Sequence, residues 1–136
     1  MTDRGILDTS TVVLLGRLDP EHLPEEPLIT AVTLAELSVG PLVATTRKER
    51  SSRQAVLQHT EADFEPLPFD AEGARAFGRV AASLRAAGRK VEARGYDAMI
   101  AATAIANGLP LFTVNRADFS GIDGLDLRQI PHPDQS

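Results

Sequence analysis

The sequence predicts an α/β fold: a mainly parallel sheet of four to five strands with helices on its faces. Two observations predict it. Short apolar, strand-like runs alternate along the chain with longer helix-like segments, the pattern of parallel strands joined through helices. The 136 residues are 43% apolar and contain no repeat or low-complexity tract, which suits one ordinary core.

Each element has a local reason. Ile6-Leu7-Asp8 reads as the first strand, and Thr11 to Leu18 as a short helix after it. Asp19 to Pro27 holds Pro20, Pro24 and Pro27 and reads as a loop. Leu28-Ile29-Thr30 fits a second strand. Thr33 to Val39 reads as a helix stopped by Gly40-Pro41. Thr45 to about His59 is polar and basic, a solvent-exposed helix. Phe64 to Leu67 reads as a third strand before Pro68. Asp70 is placed to cap a helix from Ala71 to Ala87, with Ala74, Phe77, Ala81 and Leu84 as its buried face and Gly88 as its stop. Tyr96 to Asn107 is an alanine-dense helix suited to close packing, capped by Asn107-Gly108. Leu111 to Val114 and Leu125 to Ile130 complete the sheet. Residues 1–130 thus read as a single domain, and 131–136 as a frayed C-terminal tail.

Bulk properties narrow the function. With no cysteine, disulfides and thiolate metal sites are excluded, which suits a reducing cytoplasm. The polar start Met1-Thr2-Asp3-Arg4 leads into no apolar signal segment. No run approaches the roughly 18 apolar residues of a membrane span. A net charge of −5 weighs against gripping nucleic acid by bulk charge. It does not exclude a nuclease whose acids hold cations, because a bound cation reverses the local sign. Five Phe, one Tyr and no Trp weigh against an aromatic platform for single strands. His22, His59 and His132 fall in three separate segments, so no histidine pair is offered for ribonuclease chemistry. Arg47, Lys48, Arg50 and Arg53 form a basic run that reads first as a solvated helix face and second as a backbone contact for RNA.

Four carboxylates carry the chemistry. Asp8 ends the first strand, and in open α/β sheets ligands bind at the carboxyl ends of the strands. Glu36 lies early in the helix after the second strand, Asp97 opens the alanine-rich helix, and Asp118 follows the fourth strand. Two carboxylates about 4 Å apart repel by roughly 4 kcal/mol at an effective dielectric near 20, so a converged set must take up protons or a cation. Oxygen-only ligands fit a hard cation such as Mg²⁺ or Mn²⁺. Phosphodiester hydrolysis is the natural reaction class for such a site. Each acid also has a plainer reading: Asp8 as a helix cap, Glu36 as a solvated helix residue, Asp97 as a helix-start acid, Asp118 as a turn residue.

The words around these acids are similar to those of PIN-domain ribonucleases, especially VapC-like toxins of type II toxin–antitoxin systems. They are Ile6-Leu7-Asp8-Thr9-Ser10, then Thr33-Leu34-Ala35-Glu36-Leu37 with Gly40, then Asp97-Ala98-Met99-Ile100-Ala101-Ala102-Thr103-Ala104, and finally Thr113-Val114-Asn115-Arg116-Ala117-Asp118-Phe119. They fall in family order from residue 6 to 119. The resemblance implies a PIN-like three-layer α/β/α sandwich and an Mg²⁺- or Mn²⁺-dependent endoribonuclease, the toxin of a toxin–antitoxin pair. Asp8, Glu36, Asp97 and Asp118 would surround the metal. Water would attack the RNA phosphodiester in line, leaving a 3′-hydroxyl and a 5′-phosphate. Asn115 would orient its neighbours by hydrogen bonding, or is a turn residue. Thr9 and Ser10 would help position Asp8 or water, or cap the helix start. Arg116 would contact phosphate, or is a surface arginine. The resemblance further implies a homodimer and a VapB-like antitoxin that covers the site, with no role for a membrane. Tyr96 departs from the family, where a polar residue is frequent, and 45–67 carries no family word.

Other readings compete. A haloacid-dehalogenase-like metal-dependent phosphatase needs a second aspartate two positions after the first, and Ser10 stands there. A receiver-like domain wants a late lysine, and Lys90 is the last one. A catalytically inactive PIN-like binding module is the third alternative; the intact acid set argues against it.

Overall fold

Ile6 and Leu7 are both fully buried, one on each face of the strand β1 (Arg4–Leu7). A strand buried on both faces belongs inside a parallel sheet. The computed structural model describes residues 3–134 and shows that sheet. β1 is followed by α1 (Thr9–Val13), β2 (Glu26–Leu28), α2 (Ala31–Val43), α3 (Arg47–Asp63), α4 (Ala71–Ala86), α5 (Gly95–Ala106), β3 (Leu111–Thr113) and β4 (Leu127–Gln129). The strand order is β2-β1-β3-β4, and every pairing is parallel.

The two faces of the sheet are covered separately. Ile6 and Leu111 pack against Val32, Ile100, Ala101 and Ala104 of α2 and α5. Leu7 packs the other way, with Val12, Ile29 and Leu37 and the α3 residues Val56 and Leu57. Alanines at 98 and 102 let α4 close on α5 through Ala76, Val80 and Leu84. The result is helices, sheet, helices, as expected. Gly5 in β1 faces the Phe112 ring and Pro24, so a Cβ there would force the ring to shift.

Several boundaries differ from the expectation, each for a physical reason. The first helix starts at Thr9 because Asp8 caps it, and it ends at Val13 before a 3₁₀ turn at Leu15–Arg17. The proline-rich stretch holds a second such turn, Pro20–His22, and gives way to β2 at Glu26. β2 therefore precedes the expected Leu28–Thr30. Gly40-Pro41 does not stop α2, which runs on to Val43. Gly40 packs on the Arg53 side chain, its carbonyl accepts from Arg53 Nη1 at 3.0 Å, and Pro41 is buried. Packing on α3 thus outweighs the local break. The expected third strand at 64–67 shrinks to a single parallel bridge between Leu67 and Thr30.

The buried face of α4 is Gly73, Ala76, Val80 and Leu84, while Ala74 faces solvent. α5 ends at Asn107-Gly108, where Gly108 has φ +63°, a conformation that glycine adopts without penalty. In the tail, Asp134 forms an exposed ion pair with Arg17. Met1, Thr2, Gln135 and Ser136 lie outside the described residues. Among those described, no helix is long and apolar enough to cross a membrane.

Candidate active site

The chain leaves β1 toward β2 on one side, and β3 lies on the other. The carboxyl ends of β1 and β3 therefore flank the switch point of the sheet, where open α/β folds bind ligands. Asp8 follows β1 at this point and is almost completely buried. Both its oxygens are occupied. Oδ2 accepts from Thr113 Oγ1 at 2.9 Å. Oδ1 accepts from Thr11 Oγ1 and, at 3.3 Å, from the Thr11 backbone N–H.

The hydroxyls are themselves fixed. Val114 N–H donates to Thr11 Oγ1 at 3.1 Å and Asn115 N–H to Thr113 Oγ1 at 2.9 Å. An ionised carboxylate only accepts, so each hydroxyl must spend its single hydrogen on Asp8. Asp8 is thus both the cap of α1 and a clamped carboxylate facing the end of β3. Burial raises its pKa above the usual value, and the Thr11 and Thr113 bonds oppose the rise.

Glu36 is brought in by α2, whose start Thr30 caps by accepting from Thr33 N–H at 3.3 Å. Thr9 Oγ1 donates to Glu36 Oε1 at 2.6 Å. Having spent its hydrogen there, it must accept from Thr33 Oγ1, 3.0 Å away. A two-hydroxyl relay thereby orients Glu36. Its pKa too is raised by burial, with the Thr9 bond pulling the other way.

Asp97 lies in the first turn of α5. Its pKa is pushed from the ordinary 3.8 to about 7, first by burial and then by the charges of Asp118, Glu36 and Asp8; Arg94 opposes. These effects place the four acids in one shared field. Asp118 lies in the 3₁₀ turn Arg116–Phe119. Arg94 Nη1 donates to its backbone carbonyl at 2.9 Å and stands 3.5 Å from its Oδ1. Beside Asp97 opens a cleft of about 470 Å³ lined by Glu36, Glu92, Arg94, Tyr96 and Met99.

Among the described residues, no three acidic or histidine side chains are gathered tightly enough to hold a cation as they stand. Glu36 is turned to Thr9 and Asp118 to Arg94. The donor set nonetheless suits a hard divalent ion. It is oxygen-only, it carries four carboxylates against Arg94, and the charges of Asp118, Glu36 and Asp8 add to burial in lifting Asp97 to about 7.

The supporting residues behave unevenly. Thr9 acts on Glu36 rather than on Asp8. Asn115 works through its backbone: its N–H holds Thr113 and its carbonyl accepts from Asp118 N–H at 3.0 Å, while its exposed side chain caps nothing. Arg116 reaches the Leu127 carbonyl at 3.3 Å, toward β4. Of the basic run, Arg53 is committed to Gly40 and Glu49, whereas Arg47, Lys48 and Arg50 face solvent. Sequence reasoning passed over Thr11, Thr33, Thr113 and Arg94. A hydroxyl three residues after Asp8 and three before Glu36 was the available signal for the first two. Arg94 offered none.

Comparison with known proteins follows the same lines. A family model described as "PIN domain" matches residues 6–125. The chain is 42% identical over 123 residues to ribonuclease VapC5 of Mycobacterium tuberculosis, covering 88% of each. It is 34% identical over 130 residues to ribonuclease VapC4 of the same organism, covering 93% of the chain and 97% of that protein. Its fold is similar to a chain in the crystal structure of the toxin–antitoxin complex VapBC-5 from M. tuberculosis, with a TM-score of 0.80 and 37% identity. That match covers 94% of this chain and 99% of the other.

Proposed function

The chain belongs to the PIN-domain family, and from that membership we propose that it is a metal-dependent endoribonuclease, the toxin of a type II toxin–antitoxin pair. One observation carries the reading: Asp97 is raised to about 7, first by burial and then by the converging charges of Asp118, Glu36 and Asp8. Two ribonuclease relatives above 30% identity over most of the chain support it. The catalytic unit is residues 1–130, working in the cytoplasm on RNA.

The four acids would hold Mg²⁺ or Mn²⁺, which when bound supplies activation of water and neutralisation of charge on the phosphate. The rest is done by the chain's own residues. Thr11 and Thr113 keep Asp8 in one orientation, and Oδ2, which takes one hydrogen bond from Thr113, keeps a further lone pair for a ligand. Thr9 aims Glu36. Arg94 holds the turn that carries Asp118 and supplies positive charge at the cleft wall. Because Asp8 is enclosed, its charge acts through a medium less screening than water.

A VapB-like antitoxin is the proposed partner, by analogy with the VapBC-5 complex. Glu36 shares a groove with Val13, Leu37, Gly40, Arg53 and Val56, and Val39, Leu42 and Val43 of the same helix α2 stand exposed. A partner segment seated there would bring a basic side chain within reach of the acids, where it would compete with the metal. A homodimer is carried over from the family and is read directly by analytical ultracentrifugation. The deciding test incubates purified protein with total RNA, with Mg²⁺, with Mn²⁺ and with chelator. New 5′-phosphate ends should form only with metal, and Asp8→Asn should abolish them while the fold is kept. Cleavage that persists in chelator, or in Asp8→Asn, would remove the proposal.

A further inference from the structure

Tyr96 is 53% exposed, and the other large exposed apolar side chains are the aliphatic Val13, Val39, Leu42 and Val43. All five phenylalanines pack in or against the core: Phe119 is buried in one cluster with Phe69 against it, Phe77 packs on another, and Phe64 and Phe112 on a third. Tyr96 alone among the aromatics belongs to none of them. It lines the cleft with Glu36, Arg94 and Asp97 and directly precedes Asp97 in the first turn of α5. An aromatic ring left on the wall of a site for RNA phosphate, one residue from an acid of that site, lies where a base beside the cut bond would pass. Bases stack on such rings regardless of sequence, and Arg94 supplies positive charge close by.

We propose that Tyr96 is a stacking subsite for one nucleobase flanking the scissile phosphate. The proposal rests on the ribonuclease reading above. Stacking adds affinity for single-stranded RNA and needs the ring, not its hydroxyl.

Tyr96 is the chain's only tyrosine and there is no tryptophan, so its intrinsic emission reports this ring alone. The wild-type protein in chelator is titrated with an unstructured ten-nucleotide RNA, and emission is corrected for RNA absorbance. Quenching that saturates with RNA binding, and that is weaker for an abasic strand of equal length, is expected. In metal-supported cleavage, Tyr96→Ala should raise KM about tenfold with kcat little changed, and Tyr96→Phe should restore the wild-type KM. Unchanged emission at saturating RNA, or a wild-type KM in Tyr96→Ala, overturns the proposal while leaving the ribonuclease reading intact. Emission that instead follows protein concentration without RNA assigns the ring to a protein contact and also overturns it. If the wild-type protein neither binds nor cleaves RNA, the ribonuclease reading itself falls, and this proposal with it.

Discussion

Replacing Asp97 by asparagine removes a charge that burial, Asp118, Glu36 and Asp8 all oppose. The folded-state pKa of Asp97 is raised, so the stability tied to its proton is fully present below about 4 and is lost as pH rises through about 7. Asp97→Asn should therefore stabilise the metal-free protein at pH 8, by about 1–2 kcal/mol once solvent screening is allowed for. It should change stability little at pH 4 and should eliminate RNA cleavage. Denaturant melts at the two pH values check this, and a variant less stable at pH 8 would contradict it. Thr11 gives a second prediction. Thr11→Val keeps the shape but strips Asp8 Oδ1 and Val114 N–H of their shared hydroxyl, at a cost of about 1–3 kcal/mol. Cleavage should fall sharply in Thr11→Val and return in Thr11→Ser; equal loss in both would mean the methyl, not the hydroxyl, matters.

Among the elements, α2, α5 and the turn at 116–119 each deliver one acid, and α4 delivers none. α4 starts where Asp70 Oδ1 accepts from Gly73 N–H at 3.0 Å. Asp70→Ala should cost about 1 kcal/mol in a melt while kcat stays at the wild-type value. A drop in kcat would mean that α4 reaches the site through α5. The helices were the most legible part of the sequence, because a capping residue and a 3.6-residue period are local signals: Asp70 and the alanine-rich run at 98–106 announced α4 and α5. Legibility failed where the deciding contact was distant. α2 runs through Gly40-Pro41 where Arg53 of α3 holds the Gly40 carbonyl, and residues 64–67 form one bridge, from Leu67 to Thr30, which lies far off in sequence. In α4 the alanines at 74 and 76 look alike, and only the direction of α5 decides that Ala76 is the buried one.

In the whole molecule, burial raises Asp8, Glu36 and Asp97 together. By the same sign, metal-free stability should fall between pH 5 and pH 8, and Mg²⁺ should raise the melting temperature more at pH 8 than at pH 5. An equal shift at both values would mean that the cation binds elsewhere. The sequence by itself determined the acids, their order along the chain and the parallel α/β framework, because strand-ending carboxylates, helix caps and apolar periods are written in adjacent residues. Only the tertiary structure decided what surrounds those acids. Thr11 and Thr113 meet on Asp8 across 102 residues of chain, Arg94 pairs with Asp118 from 24 residues away, and Tyr96 is left exposed beside Asp97. A hydrogen bond or a shared field depends on distance in space, and the sheet order β2-β1-β3-β4 is what sets that distance.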